Sequence, residues 1–269
     1  KLLISLILTF AMVSCKQISI DKNADTQVNK QDSTTIKNIF NAALTQGECY
    51  YWLDELANDI GGRLSGSPEA ERAVLWGEQL LNGLDFDKVW LQPVMVPHWV
   101  RGEPEVAYFT VGNEKYNVPI CALGGSVATP ESGIQAQVVE VHSLEEAEEL
   151  GDKLKGKIVF FNRPFDDTLI QTFHAYGGCV DQRGDGAQVT GKFGALGEIV
   201  TSMTHSIEDY PHTGAMLYGE QPKYQHIPTA AISTLAANEL SKQIKTKPDL
   251  TFYFKQSCQT LEDKPTFNV

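Results

Sequence analysis

Apolar residues recur at helical spacing in the first third of the chain and at strand spacing beyond it. Ile36, Ile39, Phe40 and Leu44 mark one helix over Thr35 to Leu44, and Leu53, Leu56 and Ile60 mark another over Cys49 to Ile60. Gly61-Gly62 ends the second, because glycine enters the left-handed region freely. Ser67-Pro68 opens a third, with serine at the N-cap, proline at the first position, and Glu69 and Glu71 where the helix dipole favours anions. Ala70, Val74, Leu80, Leu81 and Leu84 form its apolar face. Val89, Leu91 and Val94 to Val96 predict a strand.

From about Tyr108 the texture becomes short strands and turns. Val106 to Val111, Tyr116 to Ala122, Ile134 to Val141 and Lys157 to Asn162 are rich in β-branched and aromatic residues. Leu144 to Leu150 predicts a short acidic helix, Thr172 to Asp181 a longer one, and Gln188 to Phe193 another. Ile199 to Met203, Ile227 to Ile232 and Leu250 to Phe254 predict strands, and Thr234 to Ile244 a helix. This alternation predicts an α/β fold with a compact insert large enough to have its own core.

The N-terminus departs from this pattern. Lys1 precedes an almost wholly apolar run from Leu2 to Val13, and Ser14-Cys15 follows. Twelve residues reach about 18 Å as a helix, short of a bilayer core of about 30 Å. A basic start, short apolar core and small residue read as a secretory signal over 1–15. Met12-Val13-Ser14-Cys15 resembles a bacterial lipobox, which makes Cys15 the expected lipidation site. An ordinary signal peptide containing a cysteine is the plainer alternative. Residues 16–34 are polar and suit a solvated tether from a membrane anchor. The expected location is the outer side of a bacterial membrane, facing the periplasm or the cell exterior.

The chain has 269 residues, with 42% hydrophobic, 21% charged and a net charge of −12. That composition is globular, and the absence of any basic stripe argues against nucleic-acid binding. Cys49, Cys121, Cys179 and Cys258 share no Cys-x-x-Cys spacing, so neither a zinc knuckle nor a redox motif is indicated; export would permit disulfides, but free thiols are favoured for four scattered cysteines in a large domain. Gly186 to Phe193 almost spells a phosphate loop, but Phe193 stands where a hydroxyl must hold Mg²⁺. Arg183-Gly184-Asp185 is an adhesion tripeptide by spelling only. His205, Glu208, Asp209 and His212 are metal-ligating types within eight residues, but Tyr210-Pro211 keeps them off one helix face. Ser65 and Ser67 lack a nucleophile elbow and nameable partners, and His98 between Pro97 and Trp99 suits packing or a hydrogen bond. No catalytic or metal residue is assigned in this chain.

Several strings together resemble the carboxypeptidase Q family of zinc metallopeptidases. They are Ile60 to Ser67, Val89-Trp90-Leu91-Gln92-Pro93-Val94 and Val96-Pro97-His98-Trp99-Val100-Arg101-Gly102-Glu103. Gly156-Lys157-Ile158-Val159, Pro211-His212-Thr213-Gly214 and Ile227-Pro228-Thr229-Ala230 follow in order. The resemblance implies a zinc-exopeptidase α/β/α domain interrupted by a protease-associated (PA) domain. The implied division is 35–112 for the first part of the peptidase domain, 113–255 for the PA domain and 256–269 for re-entry into the peptidase sheet. Two zinc ions, small peptide substrates, dipeptides among them, and a separate C-terminal catalytic half are implied, and a homodimer is allowed. The zinc ligands and the general base of the family lie beyond residue 269, so the chain reads as an N-terminal fragment, inactive alone. Arg63, Ser65 and His98 would order the interdomain junction or edge the cleft. A non-catalytic lipid-anchored PA binding module and a degenerate peptidase scaffold are the competing readings.

Overall fold

A computed structural model describes residues 30–219 and 224–269. The signal segment, Cys15 and most of the tether lie outside the described residues. Packing divides the chain into two compact units, 1–55 and 56–269. Among the described residues, no helix is long and apolar enough to cross a membrane.

The first unit contains α1 (Lys30–Thr45) and α2 (Cys49–Asp54). Helix α1 starts five residues before the expected Thr35, so residues 30–34 are helical, not tether. Its stripe of Ile36, Ile39, Phe40 and Leu44 is exposed.

In the second unit a π-helical turn, Glu55–Ile60, leads through the Gly-Ser turn into α3 (Pro68–Asn82). Ser67 caps α3 by accepting from the Ala70 N–H at 3.1 Å. Strand β1 (Gln92–Val100) begins and ends about three to four residues later than its apolar run predicts. Pro97, which has no N–H to give a ladder, is accommodated at a register shift between Val96 and His98. The chain then builds β2 (Val106–Val111), β3 (Glu114–Asn117), β4 (Ile120–Ala122) and β5 (Ile134–Val141). Helix α4 (Leu144–Leu150), β6 (Ile158–Phe161), α5 (Thr172–Gly177), α6 (Asp181–Gly191), β7 (Gly197–Thr201) and β8 (Thr229–Ile232) follow. Helix α7 (Thr234–Thr246), β9 (Thr251–Lys255) and β10 (Gln259–Asn268) complete the order.

Eight strands form one mixed sheet, ordered β3-β2-β9-β5-β6-β7-β8-β4. The middle four, β5 to β8, are parallel, and the outer ones antiparallel. Parallel strands need both faces covered, and β6, β7 and β8 are buried at every residue. Ile158, Phe160 and Ile199 point into one core with Leu240 of α7 and Phe252 and Phe254 of β9. Val159, Phe161 and Val200 point into the other with Ala147 of α4 and Ala187 and Val189 of α6. Each such buried side chain contributes about 1.5–3 kcal/mol of hydrophobic stabilisation. The second sheet is a two-stranded antiparallel ladder, β1 with β10, in which Gln92 faces Asn268 and Val100 faces Gln259.

Two sequence-based boundaries move. The division at 112/113 falls in the β2–β3 turn, and β2 belongs to the eight-stranded sheet. Ala107 and Phe109 are buried there beside β9, so the strands of this sheet run from Val106 to Lys255. The helix expected over Thr172 to Asp181 is interrupted after Gly177, and α6 starts afresh at Asp181. The glycines of Arg183-Gly184-Asp185-Gly186 look like a turn in sequence, yet the segment is helical. At Gly186 a Cβ would lie 2.6 Å from Glu198 Oε1, so glycine lets α6 pack over that carboxyl. Residues 186–191 are therefore helix interior, and the near-phosphate loop forms no loop.

Glu198 is fully buried in the middle of β7, with no protein partner on either oxygen. Burial, with like-charge repulsion from Asp185, pushes its carboxyl well above the usual carboxylate range. The folded chain thus holds this proton more tightly than the unfolded chain. The associated stability is fully present below about pH 4.3, and it is lost as pH rises from there through the folded-state value. Glu198→Gln should therefore raise the melting temperature more at pH 8 than at pH 5. Thermal melts across that range check this, and equal shifts at both pH values would assign the dependence to another group.

Candidate functional site

The most distinctive sequence, Gly61 to Glu103, folds into a Gly-Ser turn, a helix and the strand that leads to the larger sheet. Arg63 Nη1 donates to the Leu56 and Gly61 carbonyls, both at 2.6 Å, and Arg72 Nη2 to the Ile60 carbonyl at 3.0 Å. Two arginines therefore satisfy carbonyls that the end of the π-helical turn leaves open. Gly66 has a φ of +77°, and a Cβ there would sit 2.9 Å from Cβ and Cδ2 of His98. The His98 side chain, 7% exposed, is packed against that turn. No hydrogen bond joins His98 to Ser65 or Ser67 among the described residues, so no nucleophile–base pair forms here.

Between this turn, α3 and the β1–β10 ladder lies a groove of about 540 Å³. Ser65, Ser67, Ala70, Val74, Val96 and Pro265 line it, so its walls are mainly apolar. Of the three sequence-predicted residues, Ser65 lines the groove, His98 supports its turn and Arg63 holds the preceding carbonyls.

The rest of the block joins the two sheets. Trp99 Nε1 donates to the Ser126 carbonyl at 2.9 Å, and the Arg101 guanidinium lies 5.1 Å from the Trp99 ring centroid. Arg101 Nη1 pairs with Glu105 Oε1 at 3.4 Å and donates to Cys121 Sγ at 3.0 Å and to the Ala122 carbonyl. Glu105 Oε1 in turn accepts from the Ala122 N–H at 2.7 Å. Gly102, at φ +81°, is pressed on Ser257, whose Oγ accepts from the Glu103 N–H at 2.8 Å. The chain thus leaves the ladder at Val100 and returns to it at Gln259 through one shared junction.

Behind the junction is a buried polar cluster that the sequence did not disclose. Gln256 Nε2 donates to Ser126 Oγ at 2.8 Å and to the Val127 carbonyl at 2.7 Å, while Thr129 Oγ1 donates to the Gln256 carbonyl at 3.1 Å. The Thr229 N–H donates to Ser126 Oγ at 2.8 Å. Tyr218 accepts from the Val127 N–H and donates to the Ile227 carbonyl, and burial pushes its phenol up to about 12. Ser126 and Gln256 sit in Gly-Ser-Val and Lys-Gln-Ser contexts that read as ordinary loop, so only the fold identifies them.

The other motifs have structural roles. Thr213 Oγ1 donates to the Ala122 carbonyl at 3.0 Å, the His212 N–H to Ser202 Oγ at 2.7 Å, and Gly214 gives space to the Arg183 guanidinium. The Pro-His-Thr-Gly string therefore pins the long β7–β8 connection to β4. His212 pairs with Glu208 at 2.7 Å, Asp209 accepts from Ser233 Oγ at 2.9 Å, and His205 lies edge-on to Phe165. Among the described residues no group of three or more His, Cys, Asp or Glu is placed to hold a metal ion. Cys49, Cys121, Cys179 and Cys258 are unpaired, and burial raises the thiols of the last three above their usual range, which makes them poor nucleophiles.

No protein-family model matches the chain. Comparison with curated proteins finds 34% identity over 225 residues with carboxypeptidase Q of Xenopus laevis, covering 83% of this chain and 45% of the relative. The human protein of the same name is 33% identical over 236 residues, covering 87% and 48%. The chain thus spans about half the length of the curated relatives it matches. Among solved structures, a peptidase M28 precursor from Shewanella amazonensis superposes with a TM-score of 0.81 at 27% identity, covering 89% of this chain and 53% of that one. A zinc aminopeptidase from Bacillus subtilis shares the fold at a TM-score of 0.51 and 17% identity, covering 81% and 44%.

Gly102 and Gly61 separate the effect of backbone strain from that of the junction. Both have positive φ, but a Cβ at Gly61 meets nothing within 4 Å, whereas one at Gly102 would lie 2.7 Å from the Ser257 carbonyl oxygen. Gly61→Ala should cost about 1–2 kcal/mol. Gly102→Ala should cost clearly more and red-shift Trp fluorescence as the junction opens around Trp99. Urea denaturation midpoints of the two variants check this, and equal midpoints would remove the junction from the account.

Proposed function

Because the chain belongs to the carboxypeptidase Q-like family of M28 peptidases, we propose that it is the N-terminal portion of an exported, lipid-anchored zinc metallopeptidase that hydrolyses small peptides, dipeptides included. The observation that carries this reading is the likeness to carboxypeptidase Q over most of the chain. In this reading the eight-stranded part is a PA-type insert, and β1, β10 and α3 are the beginning of the peptidase core. A two-stranded ladder alone is marginal in water, and it offers edges to which further strands of that core can add.

Among the described residues no group of three or more His, Cys, Asp or Glu is placed to hold zinc. The nearest approach to a ligand set is His142, 3.5 Å from both Glu140 and Glu146. Both Glu140 oxygens are already occupied by Asn162 Nδ2 and Ser241 Oγ, at 2.6 and 3.0 Å. Two metal ions would thus be held by residues in the share of the relatives' length that this chain does not span. In this reading the residues described here orient the ladder and shape the groove beside Ser65.

The whole gene product carrying these residues should hydrolyse unblocked dipeptides, lose that activity to a zinc chelator and regain it on zinc addition. The 269-residue chain alone should show neither turnover nor stoichiometric zinc by elemental analysis, and either one would overturn the assignment of ligands elsewhere. Cys15→Ser should move the exported protein from the membrane to the soluble fraction. Unchanged fractionation would sink the lipid anchor while leaving the peptidase reading intact.

A further inference from the structure

The four parallel strands end together, and the elements that follow them leave on opposite faces of the sheet. Helices α4 and α6 contribute Ala147 and Ala187 to one core, whereas α7, directly after β8, contributes Ala237 and Leu240 to the other. In open α/β sheets such a divergence at the carboxyl ends leaves a crevice in which ligands bind. A cavity of about 360 Å³ occupies this place, between the segments after β5, β6 and β7 and the outer side of α7. Its size is near the lower end for small-ligand sites.

The floor of the cavity is saturated. Glu140 is held by Asn162 and Ser241, and Ser202 Oγ donates to the Ile232 carbonyl at 2.7 Å while accepting from His212. The rim is different: His205, Asn238 and Lys245 carry donors that no hydrogen bond or ion pair engages among the described residues. Asp167, after β6, likewise has an unengaged carboxylate. Nearby His142 is taken up by Glu140 and Glu146, and Asp166 by Thr168. The unengaged donors are thus one ammonium, an imidazole and an amide, and the carboxylates that face them are Asp167, Glu140 on the floor and Asp166 beside His205.

A second cavity, of about 650 Å³, opens from the first and shares Phe165, Thr204 and His205 with it. Its walls are aromatic and apolar, with Tyr176, Met203 and Phe173, the last 79% exposed. A donor-rich polar recess continuous with an aromatic shelf is complementary to a ligand that ends in an anion and carries an apolar group beside it.

We propose that this crevice binds the free C-terminal carboxylate of a short peptide at His205, Asn238 and Lys245, with the apolar side chain of the terminal residue on the Phe165–Phe173 shelf. Asp167 is left to accept a ligand N–H. This inference does not depend on the peptidase reading, because it concerns binding to the chain itself.

Calorimetric titration of the 269-residue chain with N-acetyl-Ala-Phe, and with the same peptide amidated at its C-terminus, tests it. The acid should bind saturably, more weakly at high salt, and the amide at least ten-fold more weakly. Lys245→Ala and His205→Ala should each weaken the acid several-fold, Phe173→Ala should reduce the preference for Phe over Gly at the terminus, and Lys153→Ala should change nothing. All four side chains are exposed, so thermal melts should match the parent. Absence of saturable binding, equal binding of acid and amide, or parent-like affinity in both Lys245→Ala and His205→Ala would overturn the proposal.

Discussion

The Arg101 guanidinium stands where the two sheets meet, and the arrangement of the larger unit depends on it. It touches the Trp99 ring, the Glu105 carboxylate, the Cys121 sulfur and the Ala122 carbonyl at once. A planar, permanently charged fork suits such a shared position in a way that a flexible ammonium does not. Glu105 is nearly buried and also receives the Ala122 N–H, so removing the arginine would strand a carboxylate among apolar neighbours. Gly102 and Ser257 close the same corner from the returning strand. The direction in which β1 and β10 project from the eight-stranded sheet is therefore set by a few polar contacts rather than by a broad apolar interface.

The eight-stranded sheet supplies the rigidity that this corner needs. Its central strands are covered on both faces, and the buried Ser126–Gln256–Thr229 cluster ties β8 to the segment where β9 turns back toward the ladder. Three side chains within this core keep buried oxygens without a partner: Thr229 Oγ1, Gln256 Oε1 and the carboxyl of Glu198, for which Gly186 makes room. Buried polar networks of this kind specify one arrangement when satisfied and carry a cost where they are not.

Legibility differed by element, for physical reasons. Helices α3 and α7 announce themselves through apolar periodicity and through Ser67 and Ser233, which cap them. Strand β6 reads as a β-branched and aromatic run and is buried at every residue, whereas β5 carries β-branched residues with burial on alternate positions. Only the end of helix α6, from Gln188, is legible, because the glycines before it lower helix propensity, and packing over Glu198 accounts for Gly186. Strand β1 continues past the expected Val96 to Val100, because the tertiary structure accommodates Pro97 at a register shift. Arg63 and His98 support the Gly-Ser turn, whereas Glu105, Ser126 and Gln256 carried no local signal at all.

By itself the sequence determined the family and the α/β class, because composition-rich strings and hydrophobic periodicity are local properties of the chain. It also determined that no local metal or nucleophile motif is spelled out in these residues. Only the tertiary structure decided where the larger sheet begins, which polar side chains join it to the ladder, and that the carboxyl ends of β5 to β7 enclose a donor-rich crevice. Those features arise from residues far apart in sequence, such as Arg101 with Ala122 or Gln256 with Ser126, and their contacts exist only once the chain has closed on itself.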